Sequence, residues 1–453
     1  MMMTKTISEL TEPAIRRGIK TVGIGKKGSK PLDPELIAEI LRDLQEGNVS
    51  PLAQGAFFAA LVLKGITKEE RELEKALTPG TLKDPKRLVE AIAFDAPEFV
   101  KNICVEFLQG KTIDRETAYR LGKFLLSTEP SDGARGIAAS ALRVRYETPD
   151  EYEGLLLSLQ ESIEKPFRET VPPGEPIIQL AEPFDGVDHS YMITPLVANH
   201  FQSRGYRVVQ LVGRNSGPKF GNNLLDVAKA LKAEFLKTNS NLKGLFQNVN
   251  LRHSEEQSDE ESHRGEILRF AQNDGKPTFG WFINQEDLSG SLDRWVEFRR
   301  EIIKRPFFST LEKFLNPVNA DILMTSAFHP PYTEKMITVA ECAGFPGAIV
   351  IRNGIEGTLA FALKRSVKIM CSARQKDGLY QRHEFEFDAE QFLGKTIPVE
   401  EKLEAPSFKE NARLIETFQT QGKTDNELFD ARLKVSCEGL RRAVEWIRGA
   451  GRP

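Results

Sequence analysis

Apolar residues recur every three or four positions through the first third of the chain, then give way near Ile177 to short unbroken runs. Leu36, Ile37, Ile40, Leu41 and Leu44 share one helical face, as do Ala118, Leu121, Phe124 and Leu125. Beyond them, apolar runs bounded by Gly, Pro, Asn and Asp predict buried strands at 177–180, 208–212, 245–249, 320–325 and 347–352, the last two completing a sheet. Residues 334–344 read as a crossover helix closed by Gly344. Two final helices are expected, one starting at Asn411 and one running from Cys437 to Gly451. The fold class is α/β with an N-terminal all-α domain: helices over 1–165, then a mainly parallel sheet with flanking helices over 172–453.

The helical third repeats itself. Moving from Asp33 to Asp114 also carries Ser50 onto Ser131, Ala53 onto Ala134, Gly55 onto Gly136, Thr67 onto Thr148 and Glu70 onto Glu151, without a gap. This reads as two copies of one module, at about 31–78 and 112–160. In each copy an Asp precedes an amphipathic helix, a Ser caps an alanine-rich one, and a Thr with Glu three residues later opens a third helix.

Composition narrows the class. A chain of 453 residues, 40% hydrophobic, has core enough for two domains. No apolar run approaches a membrane span, and residues 1–10 have no signal core, so a cytoplasmic protein is expected. Cys104, Cys342, Cys371 and Cys437 are too scattered for a disulfide framework or zinc site. Among the dispersed histidines, His189 and His329 are expected to be structural. Net charge is −3, but one insertion at about 251–275 carries −4, leaving the rest of the chain near +1. That stretch resembles the translated form of a dispersed palindromic DNA repeat of bacterial genomes and reads as a surface loop.

Candidate chemistry lies in two loops. The strand at 177–180 runs into Ala181-Glu182-Pro183-Phe184-Asp185-Gly186, and that at 208–212 into Gly213-Arg214-Asn215-Ser216-Gly217-Pro218-Lys219-Phe220-Gly221. In order and spacing this strand, turn, helix, strand and loop resemble the large domain of anthranilate phosphoribosyltransferase and its glycosyltransferase relatives. The helical modules resemble the small domain that begins those enzymes, and the stretch from Arg299 to Asn316-Pro317 resembles a further family segment. The resemblance implies substrate contacts from Asp185, Gly186, Thr194, Gly213, Arg214, Asn215, Ser216 and Lys219, with Arg299 facing the acceptor. It also implies a ligand cleft between the domains, phosphoribosyl pyrophosphate or another sugar phosphate as partner, and a homodimer. Magnesium is implied only where transfer is retained.

The family motifs are eroded here. Of a Gly-Thr-Gly-Gly-Asp turn only Asp185 and Gly186 remain, and a Lys-His-Gly-Asn loop has become Leu211-Val212-Gly213-Arg214. The paired carboxylates that hold magnesium in the family fall on Leu359 and Ala360, leaving Glu356 as a weak single candidate. The expectation is a phosphoribosyltransferase-like transferase distinct from the tryptophan-pathway enzyme. The alternative is a nucleic-acid-binding relative, for which Arg16, Arg17, Lys20, Lys26, Lys27 and Lys30 supply positive charge. Gly23-Ile24-Gly25-Lys26-Lys27-Gly28 has a dinucleotide-binding spacing but no buried strand before it, so it reads as a flexible approach to the first helix.

One prediction rests on the insertion alone. Deleting 251–274 leaves the melting temperature within about 3 °C of wild type, roughly 1 kcal/mol at this size; a larger drop means that the segment contributes to the fold.

Overall fold

The computed structural model describes residues 12–25, 28–216, 219, 221–243, 278–328, 332–352, 354–398 and 403–450. The strand expected at 245–249, the acidic insertion, Lys26, Lys27 and His329 lie outside them. Among the described residues, the α-helices of seven residues or more are α1 (Ala14–Val22), α2 (Pro34–Gln45), α3 (Pro51–Lys64), α4 (Pro85–Ile92), α5 (Glu98–Leu108), α6 (Arg115–Leu126), α7 (Asp132–Arg145), α8 (Pro149–Gln160), α9 (Thr194–Gln202), α10 (Leu224–Ala230), α11 (Trp295–Ile302), α12 (Tyr332–Cys342), α13 (Phe408–Gln421) and α14 (Glu427–Ala450). The strands are β1 (Ile177–Ala181), β2 (Arg207–Val212), β3 (Trp281–Asn284), β4 (Ile322–Ala327), β5 (Gly347–Arg352), β6 (Val367–Arg374) and β7 (Tyr380–Phe387). Among the described residues, no helix is long and apolar enough to cross a membrane.

The chain forms two compact units. The first comprises Met1–Ser162, Ser216–Pro218 and Arg294–Glu312; the second comprises Ile163–Asn215, Lys219–Asp293 and Lys313–Pro453.

In the first unit, helix starts are set by short polar side chains. Asp33 accepts from the Leu36 amide at 2.8 Å and Asp114 from Thr117 at 2.7 Å; Ser50 accepts from Ala53 at 3.1 Å and Ser131 from Ala134 at 3.3 Å. Helices α3 and α7 then pack so closely that a Cβ on Gly55 would meet Gly133 O at 2.1 Å, and one on Gly136 would meet Leu52 O at 2.1 Å. Two fully buried glutamates close the arrangement. Glu70 accepts from the amides of Thr67 and Leu32, both at 2.9 Å, and pairs with Lys64 at 2.8 Å. Glu151 accepts from Thr148 at 2.8 Å and Ile113 at 3.0 Å, and pairs with Arg145.

The third helix expected in the first module is instead a 3₁₀ segment, Glu70–Ala76. Pro79 and Gly80 cut it short, and Leu73 is its one buried apolar residue, whereas α8 buries Tyr152, Leu155, Leu156 and Leu159. Helix α11 joins this unit through Trp295, whose indole donates to Leu125 O at 3.1 Å and meets Phe308 edge-on at 4.9 Å between centroids.

The second unit is built on one sheet of order β3-β2-β1-β4-β5-β6-β7. Strands β1 to β5 are parallel, and β6 and β7 add antiparallel neighbours. The sheet therefore continues past β5, where the apolar runs end. Strand β7 alternates Glu384 and Glu386 with Phe385 and Phe387, and Asp377-Gly378 makes the turn before it. Helices α9, α10, α13 and α14 contribute to the apolar core of this unit.

Because the α3–α7 contact leaves no space for a methyl group, Gly55→Ala and Gly136→Ala should each lower stability by about 1–3 kcal/mol. Urea denaturation measures this, and unchanged midpoints would refute backbone-to-backbone packing there.

Candidate functional site

Strand order reverses at β1, whose neighbours are β2 on one side and β4 on the other. Connections leaving the carboxyl ends of β1 and β4 diverge, and that edge of a parallel sheet is where α/β units take ligands. The loops after β1, β2 and β5 all leave from this edge.

The loops after β1 and β2 are stitched together by backbone. Val187 N donates to Asn222 O at 2.9 Å, Asn222 N returns a bond to Val187 O at 3.2 Å, and Gly221 N reaches Asp185 O at 3.2 Å. Gly186 lies at φ +81°, with Gly221 O 2.5 Å from where its Cβ would stand, so both the conformation and the crossing require glycine. Asn223 caps α10 and gives its amide to Gly213 O at 2.9 Å, while Gly213 itself lies against the Phe184 ring.

The third loop brings the charge. Glu356 Oε2 accepts from the backbone amides of Asp188 at 3.1 Å and His189 at 2.8 Å, and Lys219 donates to its Oε1. Glu356 sits at φ +54°, ψ 18°, a left-handed conformation that a glutamate adopts at a cost. Burial pushes its carboxyl up, but Lys219 and the two amides outweigh burial and hold it below the usual carboxylate range. Nearby on α14, Arg432 is only 4% exposed and stacks over the Tyr191 ring at 5.7 Å, and its Nε and Nη1 have no hydrogen-bond partner among the described residues. Burial pushes its pKa down, opposed by Tyr191 and the Glu356 carboxylate.

The other residues singled out in the sequence fall as follows. Arg214 is held by Asp293, Nε at 3.1 Å from each carboxylate oxygen and Nη2 at 2.8 Å from Oδ2. Asn215 donates its side-chain amide to Gly221 O. Asp185 and Thr194 are fully buried. Ser216, grouped with the first unit, is buried and its hydroxyl has no partner among the described residues. Arg299 also belongs to the first unit, where it is 2% exposed and its Nη1 spans the Glu312 carboxylate at 3.0 and 3.2 Å. His189 bonds through Nδ1 to Leu403 O at 2.9 Å.

Leu359 and Ala360 are fully buried, and Leu359 N donates to Glu182 at 2.6 Å. Burial pushes the Glu182 carboxyl up, opposed by the Leu359 amide and by Thr194. Among the described residues, no cluster of three or more His, Cys, Asp or Glu side chains gathers as a metal site. Two residues of this region are not evident in the sequence, Asp293 and Arg432; an arginine set among the apolar positions Phe429, Leu433 and Leu440 of its helix was the available signal.

Glu356 gives a pH prediction. Its folded pKa lies below the unfolded value near about 4.3. The contact therefore contributes stability that is fully present above the unfolded pKa and is lost as pH falls through the folded one. Glu356→Gln should cost about 1–3 kcal/mol at neutral pH and flatten the loss of stability on acidification; urea midpoints with the same acid dependence in both proteins would contradict this.

No protein-family model matches the chain. An uncharacterized protein of Aquifex aeolicus (strain VF5) is 23% identical over 245 residues, which is 54% of this chain and 63% of that protein, under two thirds of its length. Among solved structures, anthranilate phosphoribosyltransferase of Thermus thermophilus superposes with a TM-score of 0.54 at 19% identity, over 77% of this chain and 90% of that one. The Saccharomyces cerevisiae enzyme in complex with phosphoribosyl pyrophosphate and magnesium gives 0.55 at 13% identity, over 78% and 92%. With its parallel sheet reversing at β1 and its helical first unit, the chain has the anthranilate phosphoribosyltransferase-like fold.

Proposed function

We propose that the second unit binds a sugar phosphate of the phosphoribosyl pyrophosphate class, and that the chain is phosphoribosyltransferase-like without being the enzyme of tryptophan synthesis. The observation that carries this reading is the convergence, at the switch point of the sheet, of two adjacent backbone amides and Lys219. Such donors recognise an anion without needing a particular sequence motif. The yeast enzyme of the same fold has been solved with phosphoribosyl pyrophosphate and magnesium. Transfer from such a substrate passes through a cation-like ribosyl centre, so a protein contributes mainly by positioning and by stabilising the departing pyrophosphate.

The residues present do not fit magnesium. Leu359 and Ala360 are buried and offer no side-chain oxygen, and the Glu356 carboxylate is engaged by Lys219 and two amides. No step is assigned to the metal. Of the basic residues on which the nucleic-acid reading rests, Arg17 pairs with Glu39 and Lys20 with Glu12 at 2.7 Å, which offsets part of their charge.

Calorimetry with phosphoribosyl pyrophosphate tests the proposal. Binding is expected with or without magnesium, to be weakened at least about tenfold by Lys219→Ala, the loss of one charge-assisted contact. The gene should not rescue a tryptophan auxotroph lacking the transferase. Absence of binding, or an affinity indifferent to Lys219→Ala, would overturn the reading.

A further inference from the structure

Arg432 poses a problem that its surroundings leave unsolved. Its side chain is 4% exposed, and two of its three nitrogens find no acceptor among the described residues. Buried polar groups are satisfied as a rule, and a buried cation with unspent donors needs an anionic acceptor. Tyr191, whose ring the guanidinium covers, is fixed by a 2.8 Å bond from Asn426 to its hydroxyl. That tyrosine follows, by two and three residues, the two amides that converge on Glu356. The cation with unspent donors thus covers a side chain of the short segment that carries the amide pair.

We propose that the amides of Asp188 and His189, Lys219 and Arg432 form a phosphate-binding site whose resident Glu356 carboxylate is displaced by the phosphate group. The proposal deepens the sugar-phosphate reading above and rests on it for the location of the ligand. A carboxylate brings two oxygens and a single negative charge, and here both oxygens are used by Lys219 and the amides. A phosphate monoester brings three oxygens and close to two charges. It can therefore satisfy the amides and Lys219 and still offer an oxygen to Arg432, whose planar donors suit it.

The occupant is also held under strain. Glu356 keeps its place at φ +54°, and releasing its side chain frees that residue to leave the left-handed region. The Asp188 side chain also flanks the site, its Oδ1 2.9 Å from where a Cβ on Gly221 would stand.

The test uses the full chain, calorimetry and thermal shift, with inorganic phosphate and pyrophosphate as probes. Glu356→Ala removes the competitor and should bind both probes at least tenfold more tightly than wild type, with a larger phosphate-induced rise in melting temperature. Glu356→Gln, which keeps the shape and removes the charge, gives the same direction should the alanine variant fold poorly. In the Glu356→Ala background, Arg432→Ala should abolish the gain and Arg432→Lys should restore part of it. Equal phosphate affinity in wild type and both Glu356 variants overturns the proposal. So does an Arg432→Ala variant that melts earlier yet binds phosphate unchanged, because that is the signature of a purely structural arginine. The two readings fail separately: phosphoribosyl pyrophosphate binding that ignores Glu356 and Arg432 sinks this site alone. Tight phosphate binding that requires Arg432, with no preference for phosphoribosyl pyrophosphate over pyrophosphate, sinks the sugar-phosphate reading alone.

Discussion

A backbone amide that neither strand nor helix can accept must find another acceptor, and in this chain a glutamate carboxylate repeatedly supplies it. Glu70 takes the amides of Thr67 and Leu32, Glu151 those of Thr148 and Ile113, Glu182 that of Leu359, and Glu356 those of Asp188 and His189. Each carboxylate ties a loop to an element distant in sequence or to the start of a helix. Without them the chain would bury unmet N–H groups at its turns, at a cost of about 1–3 kcal/mol each.

The four are not alike. Glu70 and Glu151 stand at helix starts in ordinary geometry, each with a cation, Lys64 or Arg145, bonded directly to it. Their charge is matched within the first unit, and the contact serves only to hold helices in place. Glu182 is fully buried and its carboxyl is pushed up by that burial. Glu356 differs in three ways at once: its backbone is left-handed, its amides come from a loop at the switch point of the sheet, and a further cation stands near without touching it. A contact that only stabilises a fold has no need of that extra charge.

How much of this was legible in the sequence depended on whether a feature was local. The capping residues Asp33, Ser50, Asp114 and Ser131 act within three residues of themselves, so their role follows from position. Strands β1, β2, β4 and β5 are almost wholly buried and read as apolar runs, whereas β6 and β7 carry only a weaker period-two signal, Lys368, Glu384 and Glu386 alternating with Ile369, Phe385 and Phe387, and β7 is largely exposed. Site partners were the least legible. Arg214 with Asp293, Lys219 with Glu356 and Arg432 over Tyr191 join residues separated by tens to hundreds of positions, and only the sheet topology brings them together. The candidate residues of the two loops came from the resemblance in order and spacing, and the glycines of those loops do approach closely, Gly186 against Gly221.

Erosion of side-chain motifs does not by itself remove a phosphate site, because the donors that matter most are in the backbone. Amides at 188 and 189 are available whatever the side chains are, provided the loop keeps its path, and that path is fixed by Gly186 and by the Val187–Asn222 pairing. What a changed sequence alters is the charge around those amides. Here an anion of the chain's own fills the place, and a buried arginine adds positive charge that this anion leaves without a hydrogen bond. The carboxylate leaves the buried Arg432 nitrogens Nε and Nη1 without an acceptor among the described residues, and a buried donor without one is costly. In the site proposed above, a phosphate supplies the further oxygen for those donors that a two-oxygen carboxylate already bound by Lys219 and two amides does not.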